Sequence, residues 1–265
     1  MRRIAIVSAM HQELEALLRA MPDEAPRVLA GRRFWTGHLD GHEVVAVLSG
    51  VGKVAAATTA TLLADALGVE RAIFTGTAGG LHPRARVGDV VVADALLQHD
   101  MDASPLFPRH EVPLYGTDRF ATDPDLSAAL AAAARGELDR ATGGDAGGGD
   151  ASGLDQAALR AFAITAPAVH TGLVVSGDRF VASAGECAAL RERLPDALAV
   201  EMEGAALAQV CHDLGVPFAI VRTISDRADN SAHVDFGRFV TSIASRYSVA
   251  IVRRFLRDGG ASGAS

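Results

Sequence analysis

The chain has 265 residues, 49% of them hydrophobic, and carries a formal net charge of −7. That length suits one large α/β domain, and the acidic balance excludes nucleic-acid polymers and anionic membrane surfaces as main partners while leaving a small nucleoside open. The two cysteines, Cys187 and Cys211, form no CxxC motif and no apolar run reaches the ~18 residues of a membrane span, so a reducing, cytoplasmic setting is expected.

In chain order, Ile4 to Ala9 reads as a buried strand, followed by a helix whose face is Met10, Leu14, Leu17, Leu18 and Met21, with Glu13 in its first turn. Pro22 and Pro26 close that unit. Phe34 to His38 and Glu43 to Leu48 form a hairpin around Leu39-Asp40-Gly41, and a glycine turn, Ser49 to Lys53, leads into a small-residue helix over 54–67. A strand over 71–75 ends in Gly76-Thr77-Ala78-Gly79-Gly80, where backbone can approach a ligand closely. A further strand spans 87–93. The segment 98–116 is irregular and rich in proline and aromatics, as functional loops often are. A helix over 123–134 has Asp123 as its cap. The glycine-rich stretch at about 141–153 is expected to be a disordered insert in an otherwise single domain over 1–258. A short helix over 155–162, a strand over 170–175 and a helix over 185–194 follow. Ala197 to Val200 is an apolar strand running into Glu201-Met202-Glu203-Gly204, and a helix continues from there. The last core strand, 218–224, ends in Ser225-Asp226, a long amphipathic helix spans 236–256, and 259–265 is expected to fray. Alternating strands and helices imply an α/β fold: a central, largely parallel or mixed twisted sheet flanked by helices in three layers.

This pattern collects polar groups at strand ends, where ligands sit in such sheets: Glu13, Thr77, Arg179, Glu201, Glu203 and Asp226. Several more specific motifs fail. Gly50-Val51-Gly52-Lys53-Val54-Ala55 has the outline of a dinucleotide fingerprint, but it does not open a first βαβ unit and lacks the ribose-binding acid. It is not a P-loop either, because Lys53 is followed by valine. The pairs His99-Asp100 and His212-Asp213 are better read as ordinary surface or core residues than as metal ligands, and no GxSxG elbow supplies a nucleophile. A metal-free acid pocket with glycine-rich walls suits cleavage of a glycosidic bond by two carboxyls. Asp226 follows an apolar strand, where desolvation would raise its pKa. Glu13 sits at a helix start, which favours its charged form. The alternative reading of the pair Glu201 and Glu203 is a structural ion pair or a helix-start charge.

The motifs run in one recognisable order: Ala9-Met10 with Glu13, Ser49 to Ala57, Thr75 to Gly80, Val87 to Val91, Val175 to Asp178 with Phe180, Ala199 to Glu203, Cys211-His212, Val216 to Phe218 and Ile224 to Asp226. In this the chain resembles the bacterial 5′-methylthioadenosine/S-adenosylhomocysteine nucleosidases, within the wider nucleoside phosphorylase family. The resemblance covers nearly the whole chain apart from the glycine-rich insert and the tail. It implies a nucleoside phosphorylase-like fold and a homodimer hydrolysing 5′-modified adenine nucleosides without metal or organic cofactor, as in methionine salvage. Glu13 would be the general base, and Asp226 would protonate N7 of adenine with Ser225 positioning it. Glu203 would bind the ribose hydroxyls, Met202 would pack on the sugar, Phe180 would stack on adenine, and the backbone of Val181 would read its edge. Thr77 and Gly79 would line the water and ribose side. Arg222 would support the carboxylates, with Glu201 as its partner rather than a catalytic group. The departures are Ser8 for glycine, His11-Gln12 for a more acidic pair, Thr77 for serine and Gly204 for alanine. The largest is the 98–116 loop, which in the family helps form the 5′-substituent pocket near a dimer partner. Phosphorolysis, hydrolysis of a 6-amino-6-deoxyfutalosine-type substrate and a non-catalytic nucleoside-binding module are the alternatives. Lys53, Arg84 and Arg86 are the cations near glycine turns that a phosphate would need.

Overall fold

The computed structural model describes residues 3–142, 156–227 and 236–260. The glycine-rich stretch expected to be a disordered insert lies almost wholly outside these residues, as does most of the tail. The elements are β1 (Ile4–Ser8), α1 (His11–Leu18), β2 (Ala25–Leu29), β3 (Arg32–Leu39), β4 (His42–Leu48), α2 (Lys53–Thr61, prolonged by a π-helical turn Leu62–Ala66), β5 (Arg71–Gly80), β6 (Val90–Gln98), β7 (Arg119–Ala121) and α3 (Pro124–Thr142). They continue with α4 (Gln156–Ala161), β8 (Val169–Ser176), α5 (Ala184–Arg193), β9 (Ala197–Glu201), α6 (Gly204–Leu214), β10 (Phe218–Asp226), α7 (Phe236–Phe239), a π-helical turn Val240–Ala244 and α8 (Ser245–Arg257). Among the described residues, no helix is long and apolar enough to cross a membrane.

All ten strands join one mixed sheet in the order β10-β6-β8-β9-β5-β1-β4-β3-β2, with β7 beside β6. β5 also pairs with β10, so five strands close into a ring. Its first half lies parallel to β1 and β10, and Gly79 and Gly80 at its far end pair antiparallel with Val200 and Ala199. The central strands read as continuous apolar runs because both faces are covered. Ile4, Ile6, Ile73 and Val221 pack toward α1, α3 and α8, whereas Ala5, Val7, Phe74 and Ile220 pack in a second core that includes residues of α2 and α6.

Two strands depart most from the sequence expectation. β5 runs through the glycines to Gly80 instead of stopping at Thr75. Those glycines are what let the strand continue: a Cβ at Gly76 would meet Ala9 Cβ at 2.9 Å, and one at Gly80 would meet the Ala85 carbonyl oxygen at 2.4 Å. β6 occupies 90–98 instead of 87–93. Two short strands were not anticipated. β2 contains Pro26, which an edge strand tolerates because its N–H side can face away from the ladder. β7 is three residues long. The expected Asp123 cap forms, its carboxylate accepting from Leu126 N at 2.9 Å, and the structure adds a second, the Ser183 hydroxyl accepting from Glu186 N at 3.2 Å at the start of α5.

Candidate active site

A cavity of about 200 Å³ opens where the strand ends β5, β9 and β10 meet the turn before α1 and the glycine turn before α2. Of the expected residues, Thr77, Gly79, Phe180, Val181, Glu201, Met202, Glu203, Ser225 and Asp226 line it. So do Met10, Val51 and Phe236, to which no role had been given. Phe180 is exposed at the mouth and meets Phe236 edge-on at 6.4 Å between ring centres. Glu13 lies behind this wall, 1% exposed, immediately beneath Met10.

Each carboxyl has a different set of partners. Glu201 is fully engaged. Arg222 Nη2 donates to its Oε2 at 2.7 Å, the amides of Glu203 and Gly204 donate to it at 3.2 and 2.9 Å, and the Ser176 hydroxyl donates to Oε1. Arg222 itself is wholly buried, lies over the Phe74 ring at 4.1 Å, and donates to the carbonyls of Phe74 and Val221 at 3.2 Å. The ion pair thus closes the inside of the strand ring, with a guanidinium near enough to act electrostatically on the carboxyls around it.

Glu203 points the other way and accepts the Gly52 amide at 2.9 Å. Burial and the adjacent Glu201 charge push its carboxyl up to about 7, against the lowering effect of the Gly52 amide and Arg222. Asp226 is buried and accepts from the Ser225 hydroxyl at 2.7 Å, which fixes the orientation of its carboxyl.

Glu13 departs from expectation. Its position at the start of α1 does provide a favourable donor, Met10 N at 3.0 Å. Burial nevertheless outweighs that donor, the Arg222 charge, the Ser248 hydroxyl and the Ala9 backbone, so its pKa is raised rather than held low. A helix start lowers a carboxyl that faces water, but α1 is covered by α8 and the sheet, so desolvation dominates at Glu13.

The glycine turn is held by a network of residues far apart in sequence. Lys53 Nζ donates to Asp100 Oδ1 at 2.7 Å and to Gln98 Oε1 at 3.0 Å. Asp178 Oδ1 accepts Lys53 N at 2.7 Å, and Asp178 N donates to Asp100 Oδ2 at 2.9 Å. Three loops are clamped directly behind Gly52, whose amide holds Glu203. Burial raises the Asp100 carboxyl, but the Lys53 ammonium and the Asp178 amide together bring it below its ordinary value. His212 is exposed and rests against Tyr115 and Phe120 at 6.2 and 5.4 Å, as expected of a surface histidine. Arg179, expected among the strand-end groups, lies at the rim and pairs with Glu186.

A model of the phosphorylase superfamily matches residues 3–257. The chain belongs to that superfamily. Among solved members, the 5′-methylthioadenosine/S-adenosylhomocysteine nucleosidase of Neisseria meningitidis, in complex with methylthio-immucillin-A, is 34% identical with a TM-score of 0.80, covering 97% of this chain and 100% of its own. The corresponding Streptococcus pneumoniae nucleosidase, with a transition-state inhibitor, is 33% identical with a TM-score of 0.78 over 96% and 98%. The futalosine hydrolase of Helicobacter pylori is 28% identical with a TM-score of 0.78 over 97% and 98%. Within the superfamily the chain therefore groups with the methylthioadenosine/S-adenosylhomocysteine nucleosidases, and it shares their sheet flanked by helices.

Proposed function

We propose that this protein hydrolyses the N-glycosidic bond of 5′-modified adenine nucleosides, releasing adenine and the ribose derivative. The observation that carries the reading is the separation of the carboxyls. Glu13 and Asp226 come from different strand ends and have different partners, while Glu201 is consumed by Arg222. Glu13 removes a proton from the attacking water. Burial raises the pKa of Glu13, which makes its carboxylate a stronger base than that of an exposed glutamate. Asp226 delivers or shares the proton at N7 of adenine and makes the base a better leaving group. Glu203 binds the ribose hydroxyls beside Met202, Phe180 stacks on the base, Val181 reads its edge, and Thr77 and Gly79 line the ribose side. The developing positive charge of an oxocarbenium-like ribose is stabilised by this anionic floor.

The relatives whose names give methylthioadenosine and S-adenosylhomocysteine support those two nucleosides as substrates. The role that follows from such hydrolysis is salvage of S-adenosylmethionine by-products, with the cytoplasm as its proposed place. The similarity to a futalosine hydrolase supports a second candidate, a futalosine-type nucleoside. The test is release of free base from a panel of methylthioadenosine, S-adenosylhomocysteine, 5′-deoxyadenosine and a 6-amino-6-deoxyfutalosine-type nucleoside, with and without phosphate. Adenine released from the 5′-thio nucleosides without phosphate is the expected result. Strict phosphate dependence would make the protein a phosphorylase, and the engagement of Lys53 by Asp100 argues against that outcome.

A further inference from the structure

Ser248 lies on the buried face of α8 and is 3% exposed. A buried helical serine ordinarily returns its proton to a carbonyl one turn back. Here its hydroxyl donates instead to Glu13 Oε1 at 3.3 Å, across 235 positions of sequence. Thr75, on β5 and also 3% exposed, donates its own hydroxyl to Ser248 Oγ at 2.7 Å. The direction of this pair is set by Thr75. Because Ser248 Oγ receives the threonine proton, its own proton is available to the carboxylate. Met10 N holds the other oxygen, Oε2, at 3.0 Å. The plane of the Glu13 carboxylate is thereby fixed from two sides, one local and one from the opposite end of the chain.

We infer that Ser248, oriented by Thr75, is a positioning residue for Glu13, a hydroxyl relay from the C-terminal helix that holds the carboxylate in line for the attacking water. The inference rests on Glu13 being the base, as proposed above. The relay also acts on the proton equilibrium. Burial raises Glu13, and the Met10 amide, the Arg222 charge, the Ser248 hydroxyl and the Ala9 backbone act against it in that order. The other charged groups on the elements packed around α1 are occupied or face solvent. Arg253 is held by Asp40, Arg254 by Glu137 and Asp258, and Glu43 by Arg3. The His42 ring meets the Leu256 carbonyl, and His11, Glu15, Arg246 and Arg257 are exposed. Removing the hydroxyl therefore leaves Arg222 and the two amides as the groups that favour the ionised base.

Without Ser248 the carboxyl loses a donor to its charged form and deprotonates at higher pH. The acidic limb of kcat/KM then moves up. For Ser248→Ala with methylthioadenosine as substrate, we expect that limb to rise by about half a pH unit or more, with a larger loss of kcat/KM below the limb than above it. Ser248→Thr keeps the hydroxyl and should return the limb to its original position. Thr75→Val should shift it in the same direction as Ser248→Ala, and carries the test alone if Ser248→Ala does not fold. An unmoved limb in these hydroxyl-deleting variants, or the same profile in Ser248→Thr as in Ser248→Ala, overturns the inference. Carbon-13 titration of the Glu13 carboxyl, assigned with Glu13→Gln, reads the same shift without turnover. If the unaltered protein releases no base from any nucleoside, the proposed function fails, and this titration still decides whether Ser248 governs Glu13.

Discussion

Glu13, Asp226 and Glu203 make separable demands at the level of single residues. Glu13→Gln and Asp226→Asn preserve shape and remove the ability to take or give a proton. Each should lower kcat by at least ~100-fold while the circular dichroism spectrum is unchanged, since positioned acid–base groups contribute on that scale. Near-normal turnover in either variant would remove it from the mechanism. Glu203 offers a stability test instead. Its folded pKa of about 7 lies above the ordinary carboxylate value, so its contribution to folding is full below the unfolded pKa and is lost as pH rises through about 7. Glu203→Gln keeps an acceptor for the Gly52 amide and has no charge to desolvate. The variant should melt higher than the parent at pH 8, by a few degrees, and show little difference at pH 4.5, with scanning calorimetry on the ligand-free protein as the measurement. A gain that is equal at both pH values would mean that burial of the charge is not what raises Glu203.

At the level of elements, the glycine-bearing segments decide where the site stands. Gly80→Ala would force a Cβ to within 2.4 Å of the Ala85 carbonyl oxygen, a backbone atom with no rotamer to change. It should destabilise by about 2 kcal/mol or more, seen as a lower urea midpoint with unchanged m-value. Gly52 is different. Its φ of +89° and the Asp178 Oδ1 atom 2.9 Å from a Cβ both require glycine, and its neighbours Lys53, Asp100 and Asp178 hold it in place. Asp100→Asn removes the ion pair at Lys53 and should raise KM about 5- to 20-fold, because the turn that presents the Gly52 amide to Glu203 is loosened. An unchanged KM would detach the clamp from substrate binding. These elements also show what the sequence made legible. The strand ends carrying Glu201, Glu203 and Asp226 were visible because apolar runs stop at acids. The ring closure was not, since it depends on β5 using its glycines to continue between β10 and β9. Nor was the clamp, although Lys53 and Asp100 both stood in motifs that had been weighed. Taken singly, Lys53 fails as a P-loop lysine and Asp100 as a metal ligand, and the pairing that joins them spans 47 positions of sequence. Ser248 left no local trace: Ser245, one turn earlier, is buried as well and donates to the Thr241 carbonyl, so nothing in the sequence marks which buried serine of α8 reaches across the fold.

For the whole molecule, the distribution of exposed apolar residues bears on how the cavity is completed. Val51 and Val54 at the start of α2 are 70% and 78% exposed, and Leu106 and Leu114 in the 98–116 loop are 84% and 92% exposed. Water-facing residues of this kind scattered singly need no explanation, but these belong to segments joined by the Lys53–Asp100 pair. Val51 also lines the cavity. A second copy covering Val51 and Val54 would therefore bury apolar surface and close the mouth of the site in one step, and the alanines and threonines of α2 would allow close approach. The loop is firmly seated for such a contact: Tyr115 donates to Asp213 on α6 at 2.8 Å, and its ring packs edge-on against Phe120 at 5.7 Å. The expected state is a homodimer, with mass measured by light scattering behind a sizing column. Val54→Asp places a charge on that surface without touching the core, so it should yield a folded monomer. If the partner completes the cavity, the monomer should also lose at least ~10-fold in kcat/KM, with more of the loss in KM, because water then reaches the ribose end of the substrate. A folded Val54→Asp monomer with full activity would leave the association standing and separate it from catalysis. A parent protein that is monomeric at micromolar concentration would remove the dimer itself.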